Sequence, residues 1–218
     1  MNPNPKEVRD QTVRDAKTNL ILDSALKVFS EKGYHETRLE DVAVAAGFSK
    51  ASLYNYYEDK EEIFLNILIR MHEKILDVLR NEIREDRHIK ENIMVMLHSI
   101  LRIYGENFSF SMSMADLKTM APGSIEKFQQ RHQQLTTRFR QYTKEMIELS
   151  ASVFSIGRKR GEITTPLDDK TLSQYVTSLV RGVMVDCKNA GKIGDIDAHV
   201  QDIMEFLIRG LGFTSPTK

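Results

Sequence analysis

Residues 37–64, TRLEDVAVAAGFSKASLYNYYEDKEEIF, constrain this chain more than any other stretch. They read as two short helices about a tight turn, followed by the start of a long third one. Thr37 precedes Glu40 by three residues, the spacing of a capping box. Leu39, Val42, Ala43 and Ala46 fall at i, i+3, i+4 and i+7, which gives one apolar helical face. Gly47 ends that helix, because glycine enters the left-handed region without a Cβ clash. Phe48 plugs the turn and Ser49 caps the second helix. This second helix is expected over 50–57, with Leu53 and Tyr57 as its inner edge. Ala51, Ser52 and Asn55 then point outward, flanked by Lys50, Tyr54 and Tyr56. A small polar outer face with Tyr and Lys at its rim is the layout of a helix-turn-helix recognition unit.

The run AxxAGFSKASLYNYYEDKEEIF resembles the TetR family of transcriptional regulators. The likeness lies in a Gly-hydrophobic-Ser turn, a Leu-Tyr recognition helix and a Lys-Glu-Glu helix start. It extends from about Leu20 to Leu68; the rest of the chain is similar to the family in helical layout and length. The resemblance implies an all-α fold: a three-helix DNA-binding domain followed by a larger helical bundle for ligand binding and dimerisation. Carried over position by position, it implies DNA contacts from Thr37 and Arg38 at the entry to the first helix of the pair. It also implies major-groove contacts from Ser49, Lys50, Ala51, Ser52 and Asn55, and phosphate contacts from Tyr54, Tyr56 and Lys60. Lys50 suits guanine, Asn55 adenine and Ala51 a thymine methyl, whereas phosphate contacts position without reading sequence. Where the family often has an aromatic or a histidine, this chain has Asn55, so base and phosphate both stay open for it.

Composition narrows the setting. The 218 residues carry 31 Lys+Arg against 31 Asp+Glu, a formal net charge of zero. A nonspecific nucleic-acid coat would be basic, so the DNA reading depends on a few well-placed donors. One cysteine, Cys187, permits no intrachain disulfide and fits a reducing compartment. No leader precedes a cleavage site and no apolar run reaches membrane-span length. The expectation is a cytoplasmic protein without membrane contact.

In chain order, residues 1–13, with Pro3 and Pro5, read as a flexible arm; its cations Lys6 and Arg9 are interleaved with acids, which argues against DNA contact. The DNA-binding domain is expected over 14–60. Its first helix runs from about Asp15 to Lys32, with Ile21, Ala25, Val28 and Phe29 along one face and Gly33 as its stop. The effector-binding and dimerisation domain is expected over 61–218. Asp59 with Glu62 starts a helix that persists to about Ile83, a lever leaving the DNA-binding unit, and 84–90 reads as a solvated connection. A helix through Ile93, Leu97 and Tyr104 comes next. Phe108 to Met114 alternate with period two, but without a partner strand they read as a short helix or mobile segment.

The longest helix is expected over 124–160, where Ile125, Phe128, His132, Leu135, Phe139 and Tyr142 make a near-heptad seam. His132 reads better as a histidine bonded inside the bundle than as a ligand contact. Two last helices start at Asp168 or Asp169 and at Asp195. Ser178 and Gly182 on the first allow close approach of another helix.

Nothing in the chain assembles a catalytic site: there is no nucleophile elbow, no phosphate-cradling glycine loop and no zinc-spaced His/Glu pair. Cys187 on an apolar face reads as packing. No cofactor or metal is expected, and the chain is not read as an enzyme. A second site, implied mainly by the resemblance, is an effector pocket drawn from Tyr104, Phe108, Met112, Met114, Met120, Tyr142, Met146 and Met184, since methionine linings adapt to varied apolar shapes. The resulting expectation is a homodimeric repressor of a pseudo-palindromic double-stranded operator, paired through its last two helices. A small apolar or amphipathic effector would release it. The alternative is a pocketless architectural or adaptor DNA-binding protein whose C-terminal domain binds a protein partner.

Overall fold

The computed structural model describes residues 4–111, 129–190 and 192–211. Its helices are α1 (Pro5–Lys32), α2 (Leu39–Ala46), α3 (Lys50–Tyr54), α4 (Lys60–Glu82), α5 (Ile89–Glu106), α6 (Gln133–Lys159), α7 (Asp169–Ala190) and α8 (Ile196–Leu211). Residues 108–111 and 129–131 are also helical, and no β-strand occurs among the described residues. The all-α expectation holds. The chain divides into two compact units, one from Met1–Leu68 with Ser109–Thr137, the other from Ile69–Phe108 with Arg138–Lys218.

In the first unit α1 packs on α2 and α2 on α3. Its core is a knot of aromatic rings. Phe64 sits edge-on to Phe29 at 5.5 Å and to Tyr34 at 5.0 Å, and Phe110 closes on Phe64 at 4.5 Å. All four are almost completely buried. Burial pushes the Tyr34 phenol well above its ordinary range, with the nearby Glu61 carboxylate adding to it. Lys60 donates to the carbonyls of Tyr34, His35 and Thr37 at 2.9, 3.1 and 3.0 Å, and its ammonium lies 4.7 Å from the centre of the Tyr34 ring.

Three expectations for this unit need correction. The chain from Pro5 onward is the beginning of α1 rather than a loose arm: Asn4 caps it by accepting from Lys6 N at 3.1 Å, Pro5 suits the first helical position, and no breaker intervenes before Gly33. The cap of α2 lies one residue later than expected. Arg38 is its N-cap, with its N–H donating to Asp41 at 2.9 Å, while the buried Thr37 hydroxyl donates back to Gly33 O at 2.7 Å. Finally, α3 stops at Tyr54 rather than 57, with Asn55 as its C-cap.

In the second unit α8 packs against α5 and α7. Its core gathers Ile75 and Leu79 of α4, Ile93 and Leu97 of α5, Phe154 of α6, Val176 and Val180 of α7, and Val200 and Ile203 of α8. Two glycines permit close approach. A Cβ on Gly157 would stand 2.7 Å from Ile89 Cγ1, and one on Gly105 2.7 Å from Ile193 Cδ1. Buried Glu162 accepts from Ile89 N at 2.7 Å and so caps α5 from far along the chain. Asn92, fully buried, bonds both the N–H and the carbonyl of Arg84, so the connection expected to be solvated is pinned at that point. Asp168 and Asp195 cap α7 and α8 as their sequence positions suggested.

The expected continuous helix over 124–160 is also corrected. Residues 112–128 lie outside the described residues, and α6 begins at Gln133 with a turn at His132. The Thr136 hydroxyl takes the carbonyls of His132 and Gln133 at that break.

Candidate nucleic-acid interface

The turn between α2 and α3 holds because Gly47 adopts φ 72° and ψ 28°, a left-handed conformation that favours glycine. Phe48 N–H then reaches back to Ala43 O at 2.9 Å. Ser49 Oγ accepts from Ser52 N at 3.1 Å and lies 2.8 Å from Ser52 Oγ. Leu53 is fully buried and anchors α3 by one side. That anchorage turns Lys50, Ala51, Tyr54 and the capping Asn55 to solvent, with Ser52 half-buried between them. An exposed face of small residues beside hydrogen-bonding ones is what a helix needs to approach base edges closely.

The rim has its own electrostatics. Lys50 pairs with Glu40 of α2, and its ammonium stands 6.0 Å from the centre of the Tyr54 ring. That hydrogen bond holds the Glu40 carboxyl below its usual range and the Lys50 ammonium above its own. Asp41 is lowered in the same way, first by Lys32 at 2.7 Å and then by the Arg38 N–H. Tyr56 meets Phe48 edge-on at 5.8 Å, and the Arg14 guanidinium lies 5.4 Å from the Tyr56 ring centre. Arg38 is exposed at the start of α2.

The structure thus brings Ser49, Lys50, Ala51, Ser52, Tyr54, Asn55 and Tyr56 together around one turn, with Arg38 exposed at the other end of α2. It removes two residues from that surface. Thr37 is buried and spends its hydroxyl on Gly33 O. Lys60, expected as a phosphate clamp, spends its donors on three backbone carbonyls, the full capacity of an ammonium. Sequence reasoning missed Glu40 as the counter-ion of Lys50 and Arg14 as the cap on Tyr56. The turn creates the first contact and α1 packing the second, so neither spacing carried a signal.

The proposed effector residues are less concentrated. Met112, Met114 and Met120 lie outside the described residues. In the second unit, His72 is buried edge-on to Tyr104 at 6.4 Å and to Phe139 at 5.0 Å. Burial pushes the Tyr104 phenol up to about 12. Tyr142 donates to Glu73 at 2.6 Å, and Arg138 bonds the same carboxylate oxygen at 2.7 Å. Met184 is buried; Phe108 and Met146 are half-buried. An open groove of about 990 Å³ in this unit lies elsewhere, along Val78, Arg87, Met94, Val95, Arg102 and Ile196, and none of the proposed residues lines it. His72 could have been found, because it falls four residues after Leu68 and four before Leu76 on the apolar stripe of α4. Among the described residues no cluster has the makings of a metal site, and no helix is long and apolar enough to cross a membrane.

Residues 21–67 match the family described as bacterial regulatory proteins, tetR family. Over 191 residues the chain is 20% identical to the fatty acid metabolism regulator protein of Bacillus subtilis, covering 88% of this chain and 93% of that one. Over 64 residues it is 41% identical to the biofilm operon icaADBC HTH-type negative transcriptional regulator IcaR of Staphylococcus epidermidis, covering 24% and 35%. Among solved structures it is similar to the transcriptional regulator FadR from Bacillus subtilis in complex with stearoyl-CoA. That likeness has a TM-score of 0.72 at 18% identity, covering 88% of this chain and 98% of that one.

Proposed function

We propose, from the premise that this chain is a TetR-family transcriptional regulator, that it represses by binding a pseudo-palindromic operator as a homodimer and is released by a small amphipathic effector. The observation that carries the DNA half is the exposed outer face of α3, anchored by Leu53 behind a glycine turn. In a dimer two such helices enter successive major grooves, about 34 Å apart.

Pairing through the last two helices has support in exposed surface. On α7, Tyr175, Ser178, Gly182 and Val185 succeed one another at spacings of three and four, and all are exposed. A Cβ on Gly182 would meet nothing within 4 Å in the single chain. On α8, Phe206 is 64% exposed. A small-residue stripe edged by apolar side chains suits a close helix–helix seam.

The effector half rests on two observations. A neighbour of the same fold holds stearoyl-CoA, an amphipathic ligand. In the second unit His72 and Met184 are also buried, and the half-buried rings of Tyr104 and Phe139 stand edge-on to His72. Helix α4 supplies residues to both units, and the coupling is proposed to run along it. An effector changes DNA affinity only by as much as it prefers one state of the protein. The regulator is proposed to act in the cytoplasm.

Footprinting on the DNA upstream of its own gene, repeated with acyl-CoAs of graded chain length, tests both halves. Protection of a two-fold symmetric site, lost on adding one chain-length class, is the expected result. Protection that no acyl-CoA disturbs removes this effector class and leaves the DNA reading standing; no protection at all removes both.

A further inference from the structure

The turns of α1 from Pro5 to Leu20 lie ahead of the family match, which begins at residue 21. They serve no core. The buried residues of α1 begin at Ile21, while Val8, Val13 and Leu20 are about half exposed. Local devices hold them helical: the Asn4 cap, Pro5 at the first position, and a Gln11–Asp15 hydrogen bond at 2.7 Å. What ties this segment to the rest of its unit is Arg14, stacked over Tyr56, which in turn packs on Phe48, the plug of the helix-turn-helix turn. Arg14, Lys17, Gln11 and Tyr56 line an open cleft of about 550 Å³, with Glu7, Asp10 and Val13 along its remaining wall.

We infer that Arg14 and Lys17 bind backbone phosphates of duplex DNA flanking the base pairs that α3 reads, so that the first turns of α1 lengthen the footprint of the recognition unit. This inference rests on the DNA-binding reading above. A guanidinium lying on a ring keeps its planar fork ordered before any ligand arrives, which suits a phosphate. Lys17 adds a second cation and Tyr56 a phenol that can donate. Asp10 and Glu7 lie about one and two turns nearer the N-terminus and repel phosphate there, so the DNA track is confined to the Arg14 end. At 1.5 Å per residue these turns span about 24 Å; at about 3.4 Å per base pair that limits any added footprint to roughly seven base pairs.

The test uses the full chain and a duplex selected by the wild-type protein from a random-sequence pool. The duplex is made in two lengths, with flanks of about ten base pairs and with flanks trimmed away. Arg14→Gln with Lys17→Gln should weaken binding to the long duplex about tenfold or more. It should also make the slope of log K against log salt shallower by about 0.9 for each phosphate that is no longer neutralised. Trimming should weaken the wild type and leave the double variant nearly unaffected. Glu7→Gln with Asp10→Asn should shift affinity the other way, which a mere folding defect would not do.

Equal affinity and equal salt slope for wild type and the Arg14/Lys17 variant overturn the inference while leaving the regulator reading intact. Failure of the wild type to select any duplex overturns both.

Discussion

One carboxylate oxygen of Asp59 lies 3.0 Å from Nε2 of His132, a residue 73 positions further along the chain. The same oxygen lies 3.3 Å from Arg131, and the other Asp59 oxygen accepts from Glu62 N–H at 2.8 Å. A single side chain therefore caps α4 and fixes the residues just ahead of α6. His132 is almost fully buried and Asp59 largely so.

Replacing Asp59 should therefore cost more than an ordinary cap. Losing an N-cap costs about 0.5–2 kcal/mol, and taking a partner from a buried polar group about 1–3 kcal/mol. We expect Asp59→Ala to lower stability by roughly 2–4 kcal/mol in urea unfolding. Asp59→Asn, which keeps an oxygen for the cap, should lose less. Equal losses would mean that the cap adds nothing and that the His132 contact carries the whole effect.

Lys60 separates a structural cation from a DNA-binding one. Its three carbonyl partners tie the α1–α2 connection to the start of α4. Lys60→Met should destabilise the protein by about 2–3 kcal/mol, the order of charge-assisted hydrogen bonds. The slope of operator affinity against salt should stay as in the wild type. A shallower slope would restore Lys60 as a phosphate contact.

Tyr54 and Asn55 should behave differently from Lys60. Both are exposed, so Tyr54→Ala and Asn55→Ala should leave the unfolding midpoint nearly unchanged. If Asn55 reads a base, its removal should cost about 1–3 kcal/mol against the preferred base and relax selectivity at one operator position. If it contacts phosphate, binding should weaken evenly across sequences. Selection from a randomised operator distinguishes the two.

Glu40 restrains Lys50. Glu40→Gln should free the ammonium for phosphate or guanine, and operator affinity in a gel-shift titration should rise several-fold; a fall would show that the carboxylate orients Lys50 for DNA. The behaviour in acid derives from the same pairs. Glu40 and Asp41 ionise below their ordinary values of 4.5 and 3.8 in the folded protein. Their contribution to stability is therefore present at neutral pH and lost as pH falls through those depressed values. Glu40→Gln with Asp41→Asn should flatten the fall in urea midpoint between neutral pH and about pH 3. An unchanged slope would mean that these exposed pairs contribute nothing.

Gly157 tests the packing of the second unit. An added Cβ would lie 2.7 Å from Ile89 Cγ1 and 2.9 Å from Ile89 Cβ, close to the backbone of α5, where little can yield. Gly157→Ala should cost about 1–3 kcal/mol, as overpacking does, and Ile89→Ala should cost less in the Gly157→Ala chain than in the wild type. Gly105→Ala meets mainly the far end of Ile193 and should cost less.

The helices and the recognition turn were legible in the sequence, because they obey local rules. The Gly47 turn, the caps at Ser49, Asp59, Asp168 and Asp195, and the apolar stripes of α4, α7 and α8 depend on residues within a turn or two of one another. The outward set of α3 was legible for the same reason, since burial of Leu53 fixes which residues face out. Local rules failed where two candidate caps stood side by side, at Thr37 and Arg38. They also failed at residues 5–13, where interleaved charges hid a capped helix.

Tertiary structure alone decided which side chains are already engaged. Lys60 and Tyr54 are both polar residues beside the recognition unit. Only the fold shows that one is saturated by carbonyls while the other stands free of the core. Phe110, from a stretch read as a short helix or mobile segment, completes the aromatic core with Phe29 and Phe64. Asp59 holds His132 across 73 residues. Such contacts depend on how distant segments meet, and no periodicity within a segment encodes that meeting.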